Sequence, residues 1–163
     1  MIRSARAPTA ADQQRLALLI EAEAIQLGEF VELLAREQSL LENGETDTLL
    51  TLSQEKNDRY RRLQRLSDDR TMLLGQLGLK PSAAAIRGLC ADLPRVLARW
   101  DEVGELARQA RDRNQLNGTL IMERMAHNQA ALTVLMAAAD QPQLYDAEGH
   151  THARGGGRIL GSA

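Results

Sequence analysis

The sequence predicts an all-α protein, and two observations carry that prediction. Apolar residues, mostly Leu and Ala, recur at spacings of three and four along roughly 130 residues, with no proline between Pro8 and Pro81. Strands favour β-branched and aromatic residues, whereas this chain has few aromatics, namely Phe30, Tyr60, Trp100 and Tyr145. We therefore expect a long antiparallel helical hairpin and a third long helix, an elongated bundle, followed by a flexible C-terminal tail.

The first helix is predicted over residues 10–42. Asn43 and Gly44 follow its last apolar residues, and glycine tolerates the left-handed conformation that ends many helices. The apolar residues that form its single stripe are Leu16, Leu19, Ile20, Leu27, Phe30, Leu33, Leu34, Leu40 and Leu41.

The second helix is predicted to begin after Thr46 or Asp47, either of which can cap it, and to end near Gly75 and Gly78. Because the connection to the first helix is so short, the two helices should be antiparallel. Its predicted apolar stripe comprises Leu49, Leu50, Leu52, Tyr60, Leu63, Leu66, Leu73, Leu74 and Leu77.

A short helix is predicted over residues 82–91 with Ser82 as its cap, and Pro94 should lie in the first turn of a third long helix that ends near Ala139. The seam of this helix is small and polar towards its middle. It runs Val96, Trp100, Val103, Ala107, Ala110, Asn114, Asn117, Ile121, Asn128, Leu132 and Leu135.

The three asparagines of this seam allow two interpretations. If Asn114, Asn117 and Asn128 are buried, they need hydrogen-bond partners and fix the register of the bundle. The alternative is that they face water, and the sequence favours neither interpretation over the other.

The pattern divides the chain into a helical domain over residues 1–139 and a tail over residues 140–163. The tail contains five glycines and few large apolar residues. Such a segment is expected to stay mobile until a partner orders it.

The net charge of −2 and the pI near 5.9 provide no bulk attraction to nucleic acid or to an anionic membrane. The arginines of residues 59–70 alternate with carboxylates, which is typical of a solvated helix face with local ion pairs. No apolar run reaches the ~20 residues that span a bilayer, and no signal peptide is recognisable. Cys90, the single cysteine, is expected to be a small buried residue in a reducing compartment. We expect a cytoplasmic protein whose partners are proteins.

Neither a metal site nor a cofactor is predicted. His127 follows Glu123 by four residues, but the second inward-facing Glu and His pair that helical metal sites use is missing. A phosphate-binding glycine loop would have to follow a strand, and no strand is predicted.

Three stretches of the chain resemble the FlgN family of flagellar type III export chaperones. They are residues 33–41 (LLAREQSLL) with the turn and residues 49–57 (LLTLSQEKN) after them, residues 114–121 (NQLNGTLI), and residues 144–149 (LYDAEG). The order and spacing of these stretches carry the resemblance, which covers the whole chain.

The resemblance implies a chaperone, not an enzyme, that binds the C-terminal helical regions of the hook-filament junction proteins FlgK and FlgL. It also implies that a tail tyrosine, here Tyr145, docks on the export gate protein FlhA. The residues predicted to bind partners are Leu132, Leu135 and Met136 near the end of the third helix, and Leu144, Tyr145 and Gly149 beyond it. Met122 and Met125 can add adaptable surface, although methionines at helical spacing are more often part of a core.

Two rival functions remain open from the residues alone. One is a coiled-coil adaptor without a role in export. The other is a small all-helical enzyme in which Arg95, Arg99 and Arg113 converge on an acidic substrate.

Overall fold

The computed structural model describes residues 6–139. These residues form four helices, and no strand occurs among them, so the predicted all-α class is confirmed. The helices are α1 (Ala10–Asn43), α2 (Leu49–Gln76), α3 (Ala83–Leu89) and α4 (Pro94–Ala139). Contacts divide the chain into two units, Met1–Ile121 and Met122–Ala163, and each is described by itself.

The start of α1 is fixed by a capping box. The Thr9 hydroxyl accepts a hydrogen bond from the Asp12 backbone N–H, and the Asp12 carboxylate accepts one from the Thr9 backbone N–H at 2.8 Å. Arg6 donates two further bonds to the same carboxylate, at 2.7 and 2.8 Å. These bonds, first those from Arg6 and then those from Thr9, lower the pKa of Asp12 to about 2.

The turn between α1 and α2 confirms the predicted stop and corrects the predicted cap. Gly44 has a φ of 73°, and the Glu45 N–H donates to the Leu40 carbonyl at 2.9 Å, as in the common glycine-terminated helix end. The prediction of Thr46 or Asp47 as the cap of α2 was wrong. Thr48 holds that position in a right-handed helical conformation, and its side chain makes no capping bond.

Ion pairs show that α1 and α2 are antiparallel, as predicted. Glu37 pairs with Lys56 at 3.0 Å, and Glu23 pairs with Arg70 at 2.8 Å. Residue numbers therefore fall along α1 as they rise along α2. Glu23 and Glu37 are both buried, so these pairs lie inside the helix interface and depend on their partners for neutralisation.

The arginine-rich part of α2 is only in part the solvated face that its sequence predicts. Arg61, Arg62 and Arg65 are exposed, as expected. Arg70, in contrast, is half-buried, and its guanidinium lies 4.9 Å from the centre of the Trp100 ring while it pairs with Glu23. For Arg70 the prediction was wrong, because its carboxylate partner lies on another helix.

The unit that ends at Ile121 contains two apolar clusters. The larger one joins α1, the end of α2, α3 and the start of α4, and its fully buried members include Leu16, Ile20, Leu74 and Ile86. Cys90 is also fully buried there, as predicted, and burial raises the pKa of its thiol. Ser82 caps α3 by accepting from the Ala85 N–H, and Pro94 begins α4, both as expected.

The smaller cluster contains Phe30, Leu34 and Ala110, with Leu63 packed against it. The part of α2 before Leu73 therefore contributes less to the core than its sequence stripe predicts. Leu50 and Tyr60, both placed on that stripe, are 72% and 58% exposed. The apolar pattern of a sequence fixes the phase of a helix only to within a residue or two. Some residues assigned to the stripe therefore face away from the neighbouring helix.

One buried polar network connects the three long helices. The Asn117 amide of α4 donates to the Glu37 carboxylate of α1 at 2.8 Å and to the Leu34 carbonyl at 2.9 Å. Lys56 of α2 donates to the same carboxylate at 3.0 Å. Asn117 is fully buried, whereas Asn114 and Asn128 are exposed, so the register interpretation holds for Asn117 and the water-facing one for the other two.

We predict that Asn117→Ala lowers the free energy of unfolding by about 1–3 kcal/mol, because the buried Glu37 carboxylate loses a hydrogen-bond donor. Urea unfolding followed by circular dichroism measures this. Asn114→Ala is the matched control on the same helix and should change the free energy by less than about 0.5 kcal/mol. Equal effects of the two substitutions would contradict the role of the network.

We also predict that Asp12→Asn lowers stability at pH 6, and that its difference from the parent shrinks as the pH falls from about 4 to about 2. The pKa of Asp12 in the folded protein is about 2, below the ordinary 3.8. The carboxylate therefore contributes its full stabilisation above pH 3.8, and this contribution is lost as the pH falls through the folded-state pKa. Urea midpoints across this pH range test it, with Asp58→Asn as the control. A difference that persists unchanged at pH 2 would count against it.

Candidate partner-binding surface

The last part of α4, residues 122–139, is here called the distal segment. Residues 125–139 contain no Asp, Glu, Lys or Arg, and every side chain from Met125 to Ala138 is exposed. A helix on the surface of a protein usually carries charged residues on its outer face, and an uncharged, largely apolar helix is usually buried. The distal segment therefore has the composition of a helix that is covered by something else.

Three predicted binding residues share one face of this segment. Leu132 lies three residues before Leu135 and four before Met136, and residues at these separations are neighbours on a helix. Their side chains are 49%, 66% and 59% exposed. By helical rotation Met125 extends the same face two turns towards Met122, which gives an apolar strip on the order of 20 Å long.

The structure places the two methionines on the surface of the helix and not in a core. Met122 and Met125 are both exposed and contribute to no buried cluster of the described chain. Methionine is unbranched and polarisable, so it adapts to partners of different shape. These side chains widen the apolar face rather than fill a core.

The remaining predicted residues, Leu144, Tyr145 and Gly149, lie outside the described residues, as does the predicted tail. The structure therefore places three of the six predicted binding residues, and it brings those three together. It also shows a residue that the sequence reading missed. Val134 is exposed on the side of the helix opposite Leu132, so apolar surface is not confined to one face.

Two arginines of the rival enzyme hypothesis, Arg99 and Arg113, do not converge. Arg99 donates to Glu21 at 2.8 Å, whereas Arg113 contacts Gln38 at 3.4 Å. Fourteen residues separate the two arginines along α4, a distance of about 21 Å. Within residues 6–139 there is also no group of three or more His, Cys, Asp and Glu side chains placed to hold a metal ion. The described helices include none that is long and apolar enough to cross a membrane.

An all-α scaffold that presents a long, uncharged apolar helix face is typical of proteins that bind other proteins. The sequence model of the FlgN protein family matches residues 12–153 of this chain, which is most of its length. The chain belongs to the FlgN family. This is a family of flagellar export chaperones that bind flagellar proteins, and it is not an enzyme family. A search of curated proteins and one of solved structures find no match to this chain.

The exposure of the distal segment leads to a stability prediction. Leu135→Ala should change the free energy of unfolding by less than about 0.5 kcal/mol, because the Leu135 side chain packs on little. Leu34→Ala, the same substitution at a fully buried position, should cost about 2–5 kcal/mol. Thermal and urea unfolding of both variants measure the contrast. A large loss of stability from Leu135→Ala would show that this side chain belongs to a core.

Proposed function

We propose that this chain is a cytoplasmic export chaperone that binds the C-terminal helical regions of FlgK and FlgL and delivers them to the export gate protein FlhA. The observation that carries the proposal is the exposed, uncharged apolar face of the distal segment. Membership of the FlgN family supplies the class of client, and the exposed face supplies a surface that suits a helix.

The physical mechanism is helix recognition. An exported subunit that has not yet assembled carries amphipathic helices whose apolar faces associate with one another when exposed. Leu132, Leu135 and Met136 offer such a helix an apolar strip at helical spacing. Because residues 125–139 include no Asp, Glu, Lys or Arg, burial of this part of the strip leaves no unpaired ion behind. The chaperone thus covers the client face that would otherwise aggregate.

The tail has a separate role in this proposal. Residues 1–139 form a helical domain that folds without residues 140–163, and the tail contributes Leu144, Tyr145 and Gly149 to partner binding. Tyr145 is the aromatic anchor for FlhA. Aromatic side chains of this kind dominate many interfaces, since they bury a large apolar area and keep a hydroxyl for hydrogen bonding.

Calorimetry with a fragment that contains the C-terminal helices of FlgK tests the client site. Leu135→Asp should weaken binding at least about tenfold, because a carboxylate is transferred into an apolar interface. Ala130→Asp is the matched control: it adds the same charge to the same segment, at an exposed position on the opposite side of the helix. If both variants bind as tightly as the parent, the distal segment is not the client site. If the parent does not bind the fragment, the chain serves another client or acts as an adaptor outside export.

The gate contact needs its own measurement. Tyr145→Ala should weaken binding to the cytoplasmic domain of FlhA about thirtyfold, the usual effect of removing an interface anchor worth ~2 kcal/mol. Its thermal unfolding should match that of the parent. A chain that ends at Ala139 should remain folded and lose the FlhA contact as well. Unchanged affinity of Tyr145→Ala for FlhA would remove the tyrosine from this role.

A further inference from the structure

A cleft of about 470 Å³ lies between α1, α2 and α4 in the unit that ends at Ile121. Its floor is apolar and includes the buried ring of Phe30 and the half-buried side chain of Leu63. Ala107 and Ala110 form the α4 wall. The exposed ring of Tyr60 stands at the rim. This cleft has no part in the client site proposed above.

The cleft exists because α4 carries small residues where leucines would close the gap. Val103 and Asn117 are buried on either side of it, so α4 is held against the bundle both before and after Ala107 and Ala110. The methyl side chains of Ala107 and Ala110 fill less of the space between these two attachment points than leucine side chains would. The volume of the cleft therefore depends on the small size of the side chains at Ala107 and Ala110.

The shape of the cleft favours a helix over a compact small molecule. Its lining extends along α2 from Lys56 to Ser67, which is about 16 Å at 1.5 Å per residue, or three helical turns. The three bounding helices run along the length of the cleft. α1 and α2 are antiparallel, and α4 runs in the same direction as α1. A helix laid lengthwise would complete a four-helix arrangement and cover Tyr60.

The charge of the cleft specifies the occupant further. Its lining includes the cations Lys56 and Arg111 and no carboxylate. Lys56 is already paired with Glu37. Arg111 is exposed, and within residues 6–139 it makes no ion pair. A helix that complements this cleft has an apolar ridge, which is flanked by a carboxylate that faces Arg111.

We propose that this cleft is a second client-binding site, which takes an amphipathic helix whose apolar ridge packs on Phe30 and Leu63 and whose flanking Asp or Glu pairs with Arg111. This inference rests on the proposed function, because the helix is taken to belong to the same client that binds the distal segment. Two sites for helices of one client would increase its affinity through effective concentration, without either site being strong alone.

The test is calorimetry of the full-length chain with the FlgK fragment that contains its C-terminal helices. Ala107→Leu fills the cleft, and Arg111→Glu reverses the charge of its rim. Each should weaken binding at least about tenfold, and the loss caused by Arg111→Glu should shrink as salt rises, since screening weakens ion pairs. The unfolding temperature of Ala107→Leu should equal or exceed that of the parent, because the added side chain fills apolar space.

Matched controls separate the cleft from the rest of α4. Ala98→Leu makes the same change at an exposed position outside the cleft, and Arg108→Glu makes the same charge reversal there. Both should bind within a factor of two of the parent. If Ala107→Leu unfolds the protein, Arg111→Glu decides the matter alone, since Arg111 is exposed.

The outcomes distinguish this inference from the proposed function. If the cleft variants bind like the parent while Leu135→Asp loses the fragment, the second site is refuted and the client site on the distal segment stands. If the parent fails to bind the fragment, both proposals fall. Weakening by the cleft variants, with unchanged controls, supports the second site.

Discussion

The fold depends on one buried carboxylate. Glu37 is 5% exposed and receives hydrogen bonds from Lys56 of α2 and Asn117 of α4, so a single anion joins all three long helices. An unpaired buried carboxylate is unfavourable enough that a shift of either neighbouring helix by one turn is penalised. The leucines around it provide no comparable selectivity, because a leucine stripe packs acceptably in several registers. This polar contact therefore sets where α4 lies along α1.

That register has consequences elsewhere in the unit. With Asn117 opposite Leu34, α4 places Ala110 beside Phe30 and leaves the cleft in front of Leu63 and Tyr60. The alanine-rich seam of α4 buries less apolar area than a leucine-filled interface would. Each Å² of apolar area that is not buried costs roughly 25 cal/mol of stability. The Asn117 side-chain oxygen is also buried without a hydrogen-bond partner within the described chain. Both features lower stability relative to a fully packed and fully hydrogen-bonded interface.

The sequence predicts the local signals and the antiparallel pairing of α1 and α2, but it does not predict which side chains meet across helices. The end of α1 at Gly44, the Ser82 cap and the start of α4 at Pro94 depend on residues within one turn, and all three were predictable. The cap at Thr48 was not, because it depends on a backbone conformation that the turn imposes. The burial of Arg70 and of Asn117 was not predictable, because each depends on a hydrogen-bonding partner on another helix. Leu132, Leu135 and Met136 lie on one helix, so their common face follows from the periodicity of that helix alone, whereas the cleft depends on three helices.

The two proposed binding surfaces differ in the kind of selectivity that they can provide. An uncharged strip of leucine and methionine accepts many amphipathic helices, because methionine adapts its shape and no charge must be matched. The cleft is lined on α4 by the small side chains of Ala107 and Ala110, and the cation at its rim favours a helix with a carboxylate in the right place. Under the two proposals, the adaptable strip would contribute affinity for every client. The cleft would discriminate against helices that lack a matching carboxylate, because the buried Glu37 network sets the register of the helices that line it.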